Sequence, residues 1–475
     1  MTIKQQLKDL PSAALIAIID DLYGRYGDID DIIESHIEAL GDPAPAKPGK
    51  RGSKADNKLT RALERQLDLI ISDDRFIDYR ASHGYAARLH SLLLDIEALA
   101  EDNPAQALPL VEDMLNKQDA IIEGVDDSDG EVGDALRHAV DLWLDVAARL
   151  RKSGQDTRNW AEAILAFYDK NDYGCLDDII SHSGNLLTEA ELQQLAWRFE
   201  NDSKKALKDK RITGHNSKAA HACIGIKSVA EALGDISLFE KGTLLTSPQP
   251  NTMQIERIVE FALGINELER AAHWLQQPQW KEDKPRHTRL TNQLLQKQGN
   301  TKQLKQNLLQ AFQDNPNEYT LMAYREFANI REKQAVSKQV LQMADDMRDR
   351  AAAIQLLLMT GATEKAAQLL IQHHTKLGKV FYGTLLDWIK PFNTLKKPLA
   401  TILCYRLLLT DLLDSGRSKA YHHGADYFHA LLKLDKQKPD YQGLDDAQTF
   451  IRQLQQLHWR KQSFWTMAKH PNKAQ

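Results

Sequence analysis

Asp126, Asp127, Asp129, Glu131 and Asp134 crowd around Gly130, a density of hard oxygen ligands that could coordinate Ca²⁺ or Mg²⁺. The EF-hand register fails. With Gly130 at the sixth loop position, the first and twelfth fall on Val125 and Leu136, which have no ligating side-chain atom. The same residues suit a helix start near Gly133, where Asp and Ser side chains accept from free backbone N–H groups and carboxylates favour the positive end of the dipole. Capping is the expected role, and Asp126, Asp127, Asp129 and Glu131 are the metal candidates if it fails.

A second cluster runs through Arg417-Ser418-Lys419-Ala420-Tyr421-His422-His423. In a helix beginning near Ser418, His422, Asp426 and His429 share one face at i, i+4 and i+7, a spacing able to gather metal ligands. Arg417, Lys419 and His423 add donors for a phosphate or carboxylate, and Arg417, Lys419, Tyr421, His422 and His423 are the candidate partner-binding residues here. The alternative packs Tyr421, Phe428 and Leu432 inward and leaves the histidines to ordinary hydrogen bonds. The third candidate is the tail. After Asp446 no acidic residue occurs, while Arg452, Arg460, Lys461, Lys469 and Lys473 are interleaved with Trp459, Phe464 and Trp465. Cations neutralise phosphates and exposed rings stack on bases, so Arg460, Lys461, Phe464 and Trp465 could grip single-stranded nucleic acid or an acidic peptide. Alternatively, Phe464 and Trp465 close off an apolar core.

No Gly-rich phosphate loop with Lys and Ser/Thr, no G-x-S-x-G elbow and no H-E-x-x-H pair occurs. Neither catalysis nor a cofactor is expected.

These residues must be positioned by helices. From Lys58 to Leu434 apolar residues recur at helical spacing, as in Leu59, Leu63, Leu67, Ile70 and Ile71, and Gly, Asn or Pro interrupt them at short intervals. Helices are predicted near Lys58–Ile71, Gly84–Ala100, Pro104–Asn116, Gly133–Lys152, Trp160–Lys170 and Thr188–Asn201. Two later segments resemble each other: Ala262-Leu263-Gly264 leads to the pair Ala271-Ala272, and Met359-Thr360-Gly361 leads to Ala366-Ala367. The expected fold is all-α, an α-solenoid of degenerate helical hairpins loosely like tetratricopeptide repeats. Such a fold buries a continuous core and leaves a long surface for a partner.

Five stretches are expected: an N-terminal helical hairpin at 1–40, a Pro/Gly/Lys linker at 41–57, helical blocks at 58–214 and 215–396, and a C-terminal block at 397–475. The linker's Lys47, Lys50, Arg51 and Lys54 read as a solvated tether. Of the 475 residues 42% are hydrophobic and 27% charged, enough for a large core. The formal charge of −5 argues against a general nucleic-acid binder. Neither a signal peptide nor a membrane span is expected. Cys175, Cys223 and Cys404 stand far apart in apolar contexts, as buried free thiols of a cytoplasmic protein would.

Gly443-Leu444-Asp445-Asp446, His458-Trp459-Arg460-Lys461-Gln462-Ser463-Phe464-Trp465, the Arg417 cluster, Asp126-Asp127-Ser128-Asp129-Gly130-Glu131 and Asn171-Asp172-Tyr173-Gly174 together resemble an uncharacterised family of bacterial, mainly proteobacterial, proteins. The resemblance spans roughly residues 58 to 470 and implies a helical cytoplasmic protein of unassigned activity. Relatives with a SWIM-type zinc finger ahead of the same region are part of that resemblance; its cysteines and histidine have no counterpart in this sequence. The function expected is a non-enzymatic scaffold for a protein or peptide partner, with a nucleic-acid-associated accessory role as the alternative.

Overall fold

The computed structural model describes residues 54–71, 76–208 and 216–469, with side chains from Lys58 onward. Among these residues the protein is all-α: helices joined by short turns, with one isolated bridge, Ile77 to Val125, as its only extended pairing. The hairpin expected at 1–40 and most of the linker at 41–57 lie outside the described residues. The helix expected from Lys58 begins earlier, at Lys54.

The chain forms two compact units that divide between Leu290 and Thr291. The first contains α1 (Lys54–Ile71), α2 (Tyr79–Asp102), α3 (Pro104–Asn116), α4 (Gln118–Glu123), α5 (Glu131–Ser153), α6 (Trp160–Tyr168), α7 (Asp178–Ser181), α8 (Glu189–Lys208), α9 (Ser217–Leu233), α10 (Ile236–Thr246), α11 (Thr252–Gly264) and α12 (Leu268–Leu275). The division falls inside α13 (Lys284–Lys297). The second unit continues with α14 (Thr301–Asp314), α15 (Glu318–Phe327), α16 (Ile330–Met343), α17 (Arg350–Met359), α18 (Thr363–His373), α19 (Tyr382–Thr394), α20 (Pro398–Asp414), α21 (Tyr421–Asp435), α22 (Ala447–Leu457) and α23 (Gln462–Lys469).

Local chemistry explains the helix ends. Asn251, Asn317 and Asn329 each accept from the backbone N–H three residues on, and Gln254, Thr320 and Glu332 reach back to the cap N–H, closing three capping boxes. Gly154 and Gly234 stop α5 and α9 in the left-handed region, where a Cβ is strained. The paired Ala motifs sit where two hairpins turn: α11–α12 and α17–α18, with Ala271, Ala366 and Ala367 buried at the contacts.

The first unit's core centres on Trp143, fully buried, whose ring meets Trp160 at 5.9 Å and Phe167 at 5.2 Å edge-on. Its indole N–H donates to Glu112 at 3.2 Å, so the polar end of the largest core residue is satisfied. In the second unit Trp388 repeats the solution, donating to Gln355 at 2.6 Å from a core that also holds Phe392 and Leu403. All three cysteines are buried and unpaired.

Residues 209–215, where the sequence reading sets a block boundary, join two helices that pack directly on each other. Phe199 of α8 lies against Gly225 of α9, and Ser203 Oγ sits 3.3 Å from Cys223 Sγ. Two helix interiors here contain glycine for one reason, close approach: a Cβ on Gly225 would stand 2.7 Å from the Phe199 ring, and one on Gly242 of α10 would stand 3.0 Å from Ile226 and from the Lys227 stem.

Candidate partner-binding groove

The residues singled out in sequence separate into structural and exposed groups. In the acidic segment, Asp127 Oδ1 and Oδ2 accept from Val132 N at 2.8 Å and Gly133 N at 2.9 Å, capping α5. Asp126 folds onto Ser128, Asp129 accepts from Tyr79 Oη at 3.0 Å, Glu131 pairs with His83 at 2.7 Å, and Asp134 pairs with Arg137. The carboxylates therefore point to different partners rather than to one centre. Among the described residues no group of three or more His, Cys, Asp or Glu side chains is placed to hold a metal ion.

The C-terminal candidates divide between core and surface. Tyr421, Phe464 and Trp465, proposed as binding residues, are core residues: the Tyr421 and Phe464 rings meet edge-on at 5.6 Å, Phe464 is fully buried, and Trp465 donates to the His458 carbonyl at 2.9 Å. Their apolar area is more stably placed against α20 and α21 than in water. Arg417 is held by Asp411. His422 and His423 are exposed and lie 3.9 Å apart, ring to ring, and Lys419 sits in the turn before α21. The tail does expose Trp459, 60% accessible, with the Arg460 guanidinium 5.2 Å from its ring, and Leu457 near it in the chain; Lys461 is half-buried.

A better-formed site lies in the first unit. An open groove of about 950 Å³ runs along α9, walled by α10 and α11 and reaching Leu207 of α8 and Asp178 of α7. Ala220, Ile224, Lys227 and Glu231 recur at helical spacing on the α9 face toward it, while Ala222, Gly225, Ile226 and Val229 face the core. Gly225 and Gly242 set the depth of this floor by letting α8 and α10 close onto α9. Leu207, Ile224 and Met253, the last 65% accessible, bring exposed apolar side chains to one concave surface.

Two half-desolvated charges lie along the same floor. Burial lowers the Lys227 ammonium from the ordinary lysine value, opposed by the nearby Cys223 and Glu231. Burial likewise raises the Glu231 carboxyl, opposed by Arg257 and Lys227. Neither closes an ion pair with a described residue, although they are one helical turn apart. The arrangement offers a cation, a carboxylate and flanking apolar contacts to a bound chain. A depression of about 620 Å³ exposes Trp197, but its acids are engaged: Glu189 by Gln193, Glu200 by Lys204 and Lys241, and Asp235 as the cap of α10.

Sequence reading missed this groove because α9 looks like an ordinary core helix. The available signal was glycine inside two helical runs, a costly choice that marks close backbone approach.

The chain belongs to DUF6880, a family of unknown function whose model matches residues 51–467. No curated protein matches it.

Proposed function

We propose that this member of the family is a non-enzymatic α-helical repeat scaffold of the bacterial cytoplasm, its hairpins stacked as a solenoid within each unit, and that it holds a protein partner. The occupant of the α9 groove is a peptide segment with an apolar anchor flanked by one acidic and one basic residue, facing Lys227 and Glu231. The observation that carries this reading is the convergence of Leu207, Ile224 and Met253 with two unpaired, partly desolvated charges on one concave face. Covering three such side chains contributes roughly 2–4 kcal/mol toward holding a peptide. Among the described residues no helix is long and apolar enough to cross a membrane.

The test has two steps. Proteins co-purifying with the full chain from its native host are identified, and each is then titrated as a purified protein against wild type and the Ile224→Asp/Met253→Asp double variant. A genuine occupant binds stoichiometrically and loses at least about tenfold in affinity with the variant, because two charges replace its apolar seat. Equal affinity for the variant removes the groove from the reading. The nucleic-acid alternative rests on the exposed Trp459–Arg460 stack, and its test is given below.

A further inference from the structure

We propose that the outward face of α16, with Arg325 of α15, is a separate docking site for an acidic amphipathic segment of a partner protein. Ile330, Lys333, Gln334, Ser337 and Lys338 lie at i, i+3, i+4, i+7 and i+8, one stripe of the helix, and line a depression of about 430 Å³. The adjoining face, carrying Val336 and Val340, is buried in the second unit. Three cations ring the depression, and none makes an ion pair with a described carboxylate. The nearest candidate on the helix, Glu332, is already engaged by Lys305 at 2.6 Å and by the Asn329 N–H at 2.7 Å. Glu326, next to Arg325 in the chain, does not line the depression. Arg325 is held in place by donating to the Met359 carbonyl.

The same stripe is apolar at its ends. Ile330 is 78% accessible, and Leu341, eleven residues on and on the same face, is exposed as well. The complement of a surface with cations in the middle and apolar ends is a helix carrying carboxylates between apolar side chains, matching about three turns, or ~16 Å. A phosphate backbone would meet the cations and leave Ile330 and Leu341 in water, so the apolar residues favour a protein segment. This site shares no residue with the α9 groove, and either can fail alone.

The experiment uses the full chain and a fluorescein-labelled designed peptide of about 15 residues, with Leu at helical spacing and Glu between, read by fluorescence anisotropy. The comparators are the same peptide with Lys for Glu, the same peptide with Ser for Leu, and a single-stranded oligonucleotide. The acidic peptide is expected to bind saturably. Binding should fall about tenfold or more for Lys333→Glu/Lys338→Glu and weaken with salt. Serine for leucine should also weaken it. The basic peptide should prefer the variant to wild type, a reversal that damage to the fold cannot produce. Ile224→Asp/Met253→Asp should leave all of this unchanged. Absence of saturable binding at low salt, or equal affinity for wild type and variant, overturns the proposal. Preferential binding of the oligonucleotide, lost in the variant, overturns it in favour of nucleic acid.

Discussion

Gly225→Ala tests the close approach on which the α9 groove depends. A new Cβ would stand 2.7 Å from three atoms of the Phe199 ring, whereas carbon atoms rest at about 3.5–4.0 Å. The ring or the helix must therefore retreat by close to 1 Å. Neither is free to do so: Phe199 is buried and edge-on to Tyr168 at 5.4 Å, and Tyr168 Oη donates to the His221 carbonyl at 2.8 Å, tying α9 to α6. Overpacking of this kind costs about 1–3 kcal/mol. Alanine in place of glycine inside a helix returns about 1 kcal/mol. With three clashing atoms the upper part of the range applies, leaving a net loss of about 1–2 kcal/mol, or roughly 3–6 °C in melting temperature for a unit of this size. Thermal melting of the full chain gives the magnitude, and hydrogen exchange over α8 and α9 gives the location. In a Phe199→Leu background the same alanine should be neutral or stabilising, since the clashing atoms are removed. A higher melting temperature for Gly225→Ala in the otherwise wild-type chain would show that the ring yields freely, and the argument for an enforced groove depth would fall.

Lys227→Met should stabilise the chain at neutral pH. The folded-state pKa of Lys227 is depressed by burial, so between that value and the unfolded value of about 10.4 the folded state releases its proton first and wild-type stability rises with pH. The advantage of the variant should shrink across that window, as urea unfolding at several pH values would record; a constant difference contradicts it. Asp127→Ala should cost about 0.5–2 kcal/mol by freeing the Val132 and Gly133 N–H groups, and millimolar Ca²⁺ or Mg²⁺ should leave the melting temperature of wild type unchanged. Phe464→Ala should cost about 3–5 kcal/mol, and Trp459→Ala within about 0.5 kcal/mol of nothing, by thermal melting of each variant. For the tail, the scaffold reading expects no retardation of labelled single-stranded DNA at about 0.15 M salt in a gel shift; a shift abolished by Trp459→Ala would favour the nucleic-acid alternative.

The helices themselves were legible from sequence because their determinants are local. Pro104 at a first helical position and the apolar spacing behind it marked α3 to the residue, and the Asn-to-Gln or Asn-to-Glu intervals closed their capping boxes within four residues of chain. Errors of a few residues arose where a cap lies outside the periodic run, as with Asp78, which starts α2 ahead of its expected Gly84. The capping role of Asp127 was also readable, since the N–H groups it accepts from lie five and six residues away. What periodicity cannot say is which distant helix covers a given face. Trp459 and Trp465 carry the same kind of side chain six positions apart, yet one stands in water and the other closes a core built by α20 and α21. The α9 groove is of the same kind: its floor, walls and rim come from residues between Asp177 and Arg257, and only packing brings them to one surface. Hydrogen bonding along the chain decides what is a helix, whereas the burial of apolar area between helices decides which side chains are left to meet a partner.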